Sequence, residues 1–116
     1  KRGDIVVVDF GKRRGSEQSF RRTAIVIQND VGNKFSPTTI VVPTTTKNKS
    51  DLPTHVLIEA SPTNKLKKDS IALCEQLQTI SKDRIVNYYG KLEDSYLCLV
   101  EQAIKVAVTD TLEWSE

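Results

Sequence analysis

Until residue 94 the apolar residues of this chain fall in brief β-branched runs, and only beyond it do they recur at helical spacing. Runs this short cannot hold an ordinary helix, but they suit strands whose side chains pack on a pleated surface. Ile5 to Phe10, set between Gly3 and Gly11, predicts a first strand. Thr23 to Gln28, Thr39 to Val42, His55 to Ile58 and Ser70 to Cys74 predict four more, with a small one at Tyr88 to Leu92. Polar segments separate them: a long basic loop over 12–22, a turn at Asn29 to Asn33, another at Ser36–Pro37, and loops at Lys47 to Pro53 and Ser61 to Lys68. Ser81 is placed to cap a brief helix through Asp83 to Val86. From Asp94 or Ser95 onward, Leu97, Val100, Ile104, Ala107 and Val108 form the stripe of one long amphipathic helix.

Five or six short strands and one covering helix predict a mainly β domain. The expected form is a strongly curved sheet or small barrel, whose closure leaves no strand edge bare. The 116 residues have room for one domain, spanning 1–116. With 38% hydrophobic and 28% charged residues, the chain is too apolar for disorder. No run approaches the roughly 18–20 apolar residues of a membrane span, and residues 1–4 lead into a strand, not a signal peptide, so a cytoplasmic protein is expected. The absence of an initiator Met implies a slightly longer parent chain.

Cys74 and Cys98 each lie in an apolar run and are expected to be buried and reduced. With a single His and no close carboxylate cluster there is no metal-ligand set, so no metal and no cofactor is expected. Neither a G-x-S-x-G elbow nor a nucleotide-binding glycine loop is present, which argues against serine hydrolases, dehydrogenases and P-loop enzymes.

The net charge of +2 conceals a polarity along the chain. Residues 1–22 carry seven Lys or Arg against three Asp or Glu, and residues 65–91 carry six against three. Residues 92–116 reverse this, with one against six. Local field steers a polyanion, so the first and third of these segments are candidates for a basic face. The polar residues there and at strand ends form a set: Glu17, Gln18, Arg21 and Arg22; Thr44, Thr45 and Thr46; Glu75 and Gln76. An Arg beside a Thr hydroxyl can hold a phosphate and offset charge developing on its oxygens. RNA carries its own nucleophile in the 2′-OH, so positioning and charge stabilisation could cleave it without a metal. Phe20, Tyr88 and Tyr89 are candidates to stack on bases, whereas Phe35 reads as a packing residue. His55 stands at a strand entrance, where packing or substrate contact is expected before catalysis.

At these residues the chain resembles the MazF/PemK family of toxin–antitoxin endoribonucleases, especially its Gram-positive branch. The resemblance runs through Lys1-Arg2-Gly3-Asp4, Gly15-Ser16-Glu17-Gln18, Val26-Ile27-Gln28-Asn29-Asp30, Gly32 to Thr38, Leu52-Pro53-Thr54-His55-Val56, Lys68-Asp69-Ser70-Ile71 and Glu75-Gln76. It implies an SH3-like barrel with accessory helices, a homodimer, and metal-independent cleavage of single-stranded RNA to a 2′,3′-cyclic phosphate and a 5′-OH. It also implies a MazE-like antitoxin as partner. By motif position Arg22 looks like the catalytic arginine and Thr45 like the catalytic threonine. Glu75 matches a possible acid–base or substrate-positioning site; Glu17, Gln18, Phe20, Arg21, Thr44, Thr46, His55 and Gln76 fall at RNA-binding or loop-positioning places. Thr23 stands where the family usually has Pro, which loses a fixed φ and predicts a more mobile loop. The alternatives are a noncatalytic nucleic-acid or protein interaction module, or a DNA-gyrase poison of related fold.

Overall fold

Seven strands carry the fold in the computed structural model, which describes residues 1–12, 19–46 and 52–109. They are β1 (Asp4–Lys12), β2 (Ser19–Val26), β3 (Thr38–Thr45), β4 (His55–Ile58), β5 (Ser70–Leu73), β6 (Gln78–Ser81) and β7 (Ile85–Lys91). Two α-helices, α1 (Asp30–Phe35) and α2 (Asp94–Val108), accompany them. The strand order is β4-β5-β3-β2-β1-β7, every pairing is antiparallel, and β6 adds to β3.

Alternation along the strands gives the sheet two apolar faces. Ile5, Ile25, Val42 and Ala72 turn one way and pack with Val56, Ile58, Leu92 and the α2 residues Val100 and Ala103. Their neighbours Val6, Ala24, Val26 and Val41 turn the other way and pack with Val8 and Ile80. A stripe at three- and four-residue spacing is what lets α2 cover the first face; Leu97 and Ile104 lean on it too, while Val108 is exposed.

The expectation of a closed SH3-like barrel is overturned. The fold is mixed α/β, and the ladder runs from β4 to β7 without those two strands pairing. The reason lies in β3, which serves two branches: Thr38 to Val41 pair with β6, whereas Thr44 and Thr45 pair with β5. β6 reaches β7 through a 3-10 turn at Lys82–Arg84 and not through a ladder.

Other elements shift as well. The turn expected at Asn29 to Asn33 is helix α1, which starts because the Asn29 side chain accepts from the Gly32 N–H at 2.8 Å. Phe35 at its end is 75% exposed and so is not a core residue. Ser81 caps as expected, through Asp83, but only the three-residue turn forms, and Ile85 and Val86 open β7. Cys74 is buried, and burial, aided by the Glu75 charge, pushes its thiol up to about 12. Cys98 is exposed, contrary to expectation, because it lies off the apolar stripe of α2. Among the described residues no helix is long and apolar enough to cross a membrane.

Candidate active site

β2 lies between β1 and β3, with Arg22 opposite Val8 on one side. On the other side Ala24 faces Pro43, so Arg22 lies toward the Thr44–Thr45 end of β3. The Arg22 guanidinium meets the Thr44 carbonyl, which accepts from Nε at 3.3 Å and from Nη2 at 2.8 Å. Two donors on one acceptor hold the guanidinium by an edge and fix its plane, which a single contact would not do. Phe20, two residues earlier on the same face, lies under the charge, with Arg22 Cζ 5.6 Å from the ring centroid. Phe10 braces that ring from β1, centroid to centroid 6.2 Å at a tilt of 42°. A cation over a partly exposed ring contributes about 0.5–1 kcal/mol.

Thr44 itself is 5% exposed, so its side chain serves the interior. Its hydroxyl stands 2.5 Å from the Thr23 hydroxyl and 3.3 Å from the Thr23 carbonyl oxygen. Thr23 sits inside β2 opposite Val7, and its side chain is tied to the residue whose carbonyl holds Arg22. The sequence marks Thr23 as a departure from proline, but its hydroxyl partner becomes visible only with the β2–β3 register.

A second grouping forms across the β4–β5 hairpin. His55 faces Leu73, and the chain then turns through a 3-10 segment, Cys74–Gln76, that carries Glu75 back toward the ring. His55 Nε2 lies 3.2 Å from Glu75 Oε2. An ionised carboxylate only accepts, so Nε2 donates, which fixes the tautomer of the neutral ring. Burial works against the Glu75 charge, but its own backbone N–H, the Thr54 hydroxyl and His55 outweigh it and hold the carboxyl below its usual value. The pair suits proton transfer or the fixing of a ribose or phosphate group.

Residues 1–108 match the family described as PemK-like, MazF-like toxin of type II toxin–antitoxin systems. The chain belongs to that family. It is 43% identical over 109 residues to the endoribonuclease MazF of Staphylococcus saprophyticus, covering 93% of this chain and 90% of that one. It is 41% identical to the endoribonuclease EndoA of Bacillus subtilis, covering 93% of each. Among solved structures, a mycobacterial endoribonuclease in complex with its cognate antitoxin superposes with a TM-score of 0.74 at 20% identity, over 92% of each chain. MazF of Deinococcus radiodurans does so equally, at 0.74 and 20%, over 91% and 93% of the two chains. By sequence the chain is closely related to these staphylococcal and Bacillus endoribonucleases, and by structure it shares the fold of the solved toxins.

The remaining family-matched residues divide by location. Arg21 alternates to the face opposite Arg22 and stands 4.0 Å from Asp9. Thr46 and Gln76 are exposed, Thr46 just past the end of β3 and Gln76 beside Glu75. Glu17 and Gln18 lie outside the described residues. The structure thus joins Phe20, Arg22 and Thr44 on one strand pair beside Thr45, and His55 with Glu75 on another. Among the described residues no group of three or more His, Cys, Asp or Glu could hold a metal ion.

Proposed function

We propose that the chain is an endoribonuclease toxin that cleaves single-stranded RNA by attack of the substrate's own 2′-OH, without a metal. The observation that carries this reading is the Arg22 guanidinium held by its edge on Thr44 beside Thr45, in a family whose relatives are endoribonucleases. A bond forms from the 2′-oxygen to phosphorus and the bond from phosphorus to the 5′-oxygen breaks. The 2′-OH gives up its proton and the leaving 5′-oxygen gains one, leaving a 2′,3′-cyclic phosphate and a 5′-OH. Arg22 offsets the charge that develops on the phosphoryl oxygens, and Thr45 steadies the same group. A guanidinium stays protonated, which gives Glu75 with His55 the better claim to moving protons. Phe20 and Gln76 are substrate contacts beside them, with Glu17, Gln18, Arg21 and Thr46 as further RNA-binding or loop-positioning residues.

The working unit in this reading is a homodimer. Leu57 and Leu99 are 58% and 52% exposed, and they line a 380 Å³ groove between β4 and α2 with Val56, Ala103 and Val106. A second copy would cover these exposed leucines, at a groove that His55 and Gln102 also line, so the dimer seam would adjoin the proposed site. The partner that silences the toxin is a MazE-like antitoxin, whose acidic segment would lie over the RNA path.

The test is incubation of defined RNA with protein in a chelator, followed by analysis of both product ends. Wild type should give the cyclic phosphate and 5′-OH, and 2′-deoxyribose at the cut position should abolish cleavage. Arg22→Ala and Thr45→Ala should each lower kcat by at least about 100-fold, the scale of losing one oxyanion donor. Undiminished cleavage in both variants, or cleavage of the deoxy substrate, overturns the reading.

A further inference from the structure

Consecutive residues in a strand face opposite sides of a sheet, so the residues beside Arg22 and Thr45 open onto the other face of the sheet. Thr23, Thr46, Leu66, Lys67, Lys68 and Tyr89 line a cavity of 240 Å³ there. Its floor is apolar, through Leu66 and the ring of Tyr89, which packs against the main core. Its rim is cationic, since Lys67 and Lys68 are exposed. Among the described residues no ion pair involves Lys65, Lys67 or Lys68, although Asp69 follows directly; the Asp69 carboxylate instead accepts from the Ala60 N–H at 2.8 Å.

The loop that presents these lysines is pinned from within. Asn64 is fully buried, and its amide oxygen accepts from the N–H groups of Ser61 and Leu66, both at 3.0 Å. Its amide nitrogen donates to the Glu59 carbonyl at 2.9 Å and to Glu93 at 3.1 Å. Lys65 takes a left-handed φ of 61°, so the chain reverses tightly before Lys67. Gly90 backs the turn so closely that a Cβ would stand 2.2 Å from the Asn64 carbonyl oxygen. Lysines on a loop held in this way, with no acid paired to them among the described residues, suit an anion.

We propose that this cavity is a second phosphate subsite of the proposed RNA path, holding a nucleotide that flanks the scissile bond as the strand turns over the end of β3. The inference rests on the endoribonuclease reading above and extends it. Thr45 and Thr46 mark the turning point, one facing the Arg22 side and the next lining the cavity. Ile71 and Ser70 repeat the change on β5, where Ile71 faces Thr45 and Ser70 joins the cavity wall. Cations on a rim, hydroxyls within and an aromatic wall form the set that tracks a single strand without reading its sequence. A volume below that of drug-sized ligand sites suits one phosphate with its sugar or base.

The experiment compares three RNAs: one just spanning the cleavage site, one extended on its 5′ side and one on its 3′ side. Lys67→Gln/Lys68→Gln is measured against wild type and against Lys105→Gln, a control cation on α2. The double variant should raise KM about 10-fold for one extended RNA and far less for the short one, with the loss in KM rather than kcat. Its binding should also become less salt-dependent, the log–log slope falling by about 0.7 for each phosphate that the variant no longer neutralises. Equal losses on all three RNAs, on both extensions, or on none overturn the subsite. So does a loss confined to binding an acidic peptide such as oligoglutamate. If wild type cleaves none of the RNAs, the endoribonuclease reading fails instead, a result separate from failure of the subsite.

Discussion

Replacing Asn64 by Ala should cost this protein a large share of its stability, and the structure sets the amount. Four hydrogen bonds disappear: two accepted by the amide oxygen, from Ser61 and Leu66, and two donated by the nitrogen, to the Glu59 carbonyl and Glu93. A neutral bond of this kind contributes about 1 kcal/mol net and one to a charged group about 2, for an upper figure of about 5 kcal/mol. Ser61 and Glu93 keep their mutual bond at 2.6 Å, and groups near the surface recover water, which brings the expected loss to about 3 kcal/mol. A chain of 116 residues has a total of about 6–17 kcal/mol, so between a fifth and a half would go. Equilibrium urea unfolding followed by circular dichroism reads this directly, with Asn87→Ala, at an exposed strand position, as a control expected within about 0.5 kcal/mol. A loss below about 1 kcal/mol in Asn64→Ala would refute the claim that the amide holds the 59–69 loop.

Further outcomes follow from the site and its surroundings. Thr23→Val and Thr44→Val should each lower cleavage, and a double-mutant cycle on stability should show a coupling of about 1 kcal/mol; strict additivity would mean that the two hydroxyls do not support each other. Burial opposes the charge of Glu93, but the Ser61 hydroxyl, its own backbone N–H and Asn64 together depress its carboxyl below 4.5. That contribution is fully present above the unfolded value near 4.5 and is lost as pH falls through the folded value. Stability of Glu93→Gln should therefore depend less steeply on pH below 4.5 than wild type, and identical slopes would contradict the assignment. In the native protein one thiol, Cys98, should react promptly with a chromogenic disulfide, and Cys74 should react only on unfolding; two fast thiols would mean that the interior around Cys74 is open.

What the sequence could show followed from pattern strength. The β-branched runs of β1 and β3 to β5 and the stripe of α2 were legible because burial and periodicity coincide there, whereas β2 begins at Ser19, inside the expected basic loop, and ends at Val26, short of Gln28. Strand β6, Gln78–Ser81, has one apolar residue, Ile80, and is a strand because its backbone completes β3. Helix α1 contains Gly32 and Asn33, poor helix formers, and depends on the Asn29 cap and on Asn33 donating to the Gln28 carbonyl at 2.9 Å. Branching at β3 was equally hidden, since no residue type announces that one strand will serve two neighbours. In the site, the residue types of Arg22 and Thr45 pointed to phosphate chemistry. Their bracing did not, because the acceptor that orients Arg22 is a main-chain carbonyl, which every residue possesses. His55 and Glu75 stood as separate candidates until the hairpin register brought Glu75, two residues past Leu73, back beside the ring.

The open sheet has a bearing on how the protein behaves when crowded. Among the described residues β4, β6 and β7 each pair along one side only, which leaves main-chain groups of the kind that template strand addition. β4 is only four residues long, so about two of them can present outward-facing N–H and C=O groups to a stray chain, too few to seed a ladder. β7 is longer, but its pairing with β1 shifts register twice, between Ile5 and Val6 and again between Val7 and Val8. Such irregularities coil a margin so that a straight strand cannot lie along it. β6 is as short as β4, so the same sheet that fails to close limits its own growth at each of these margins through geometry alone.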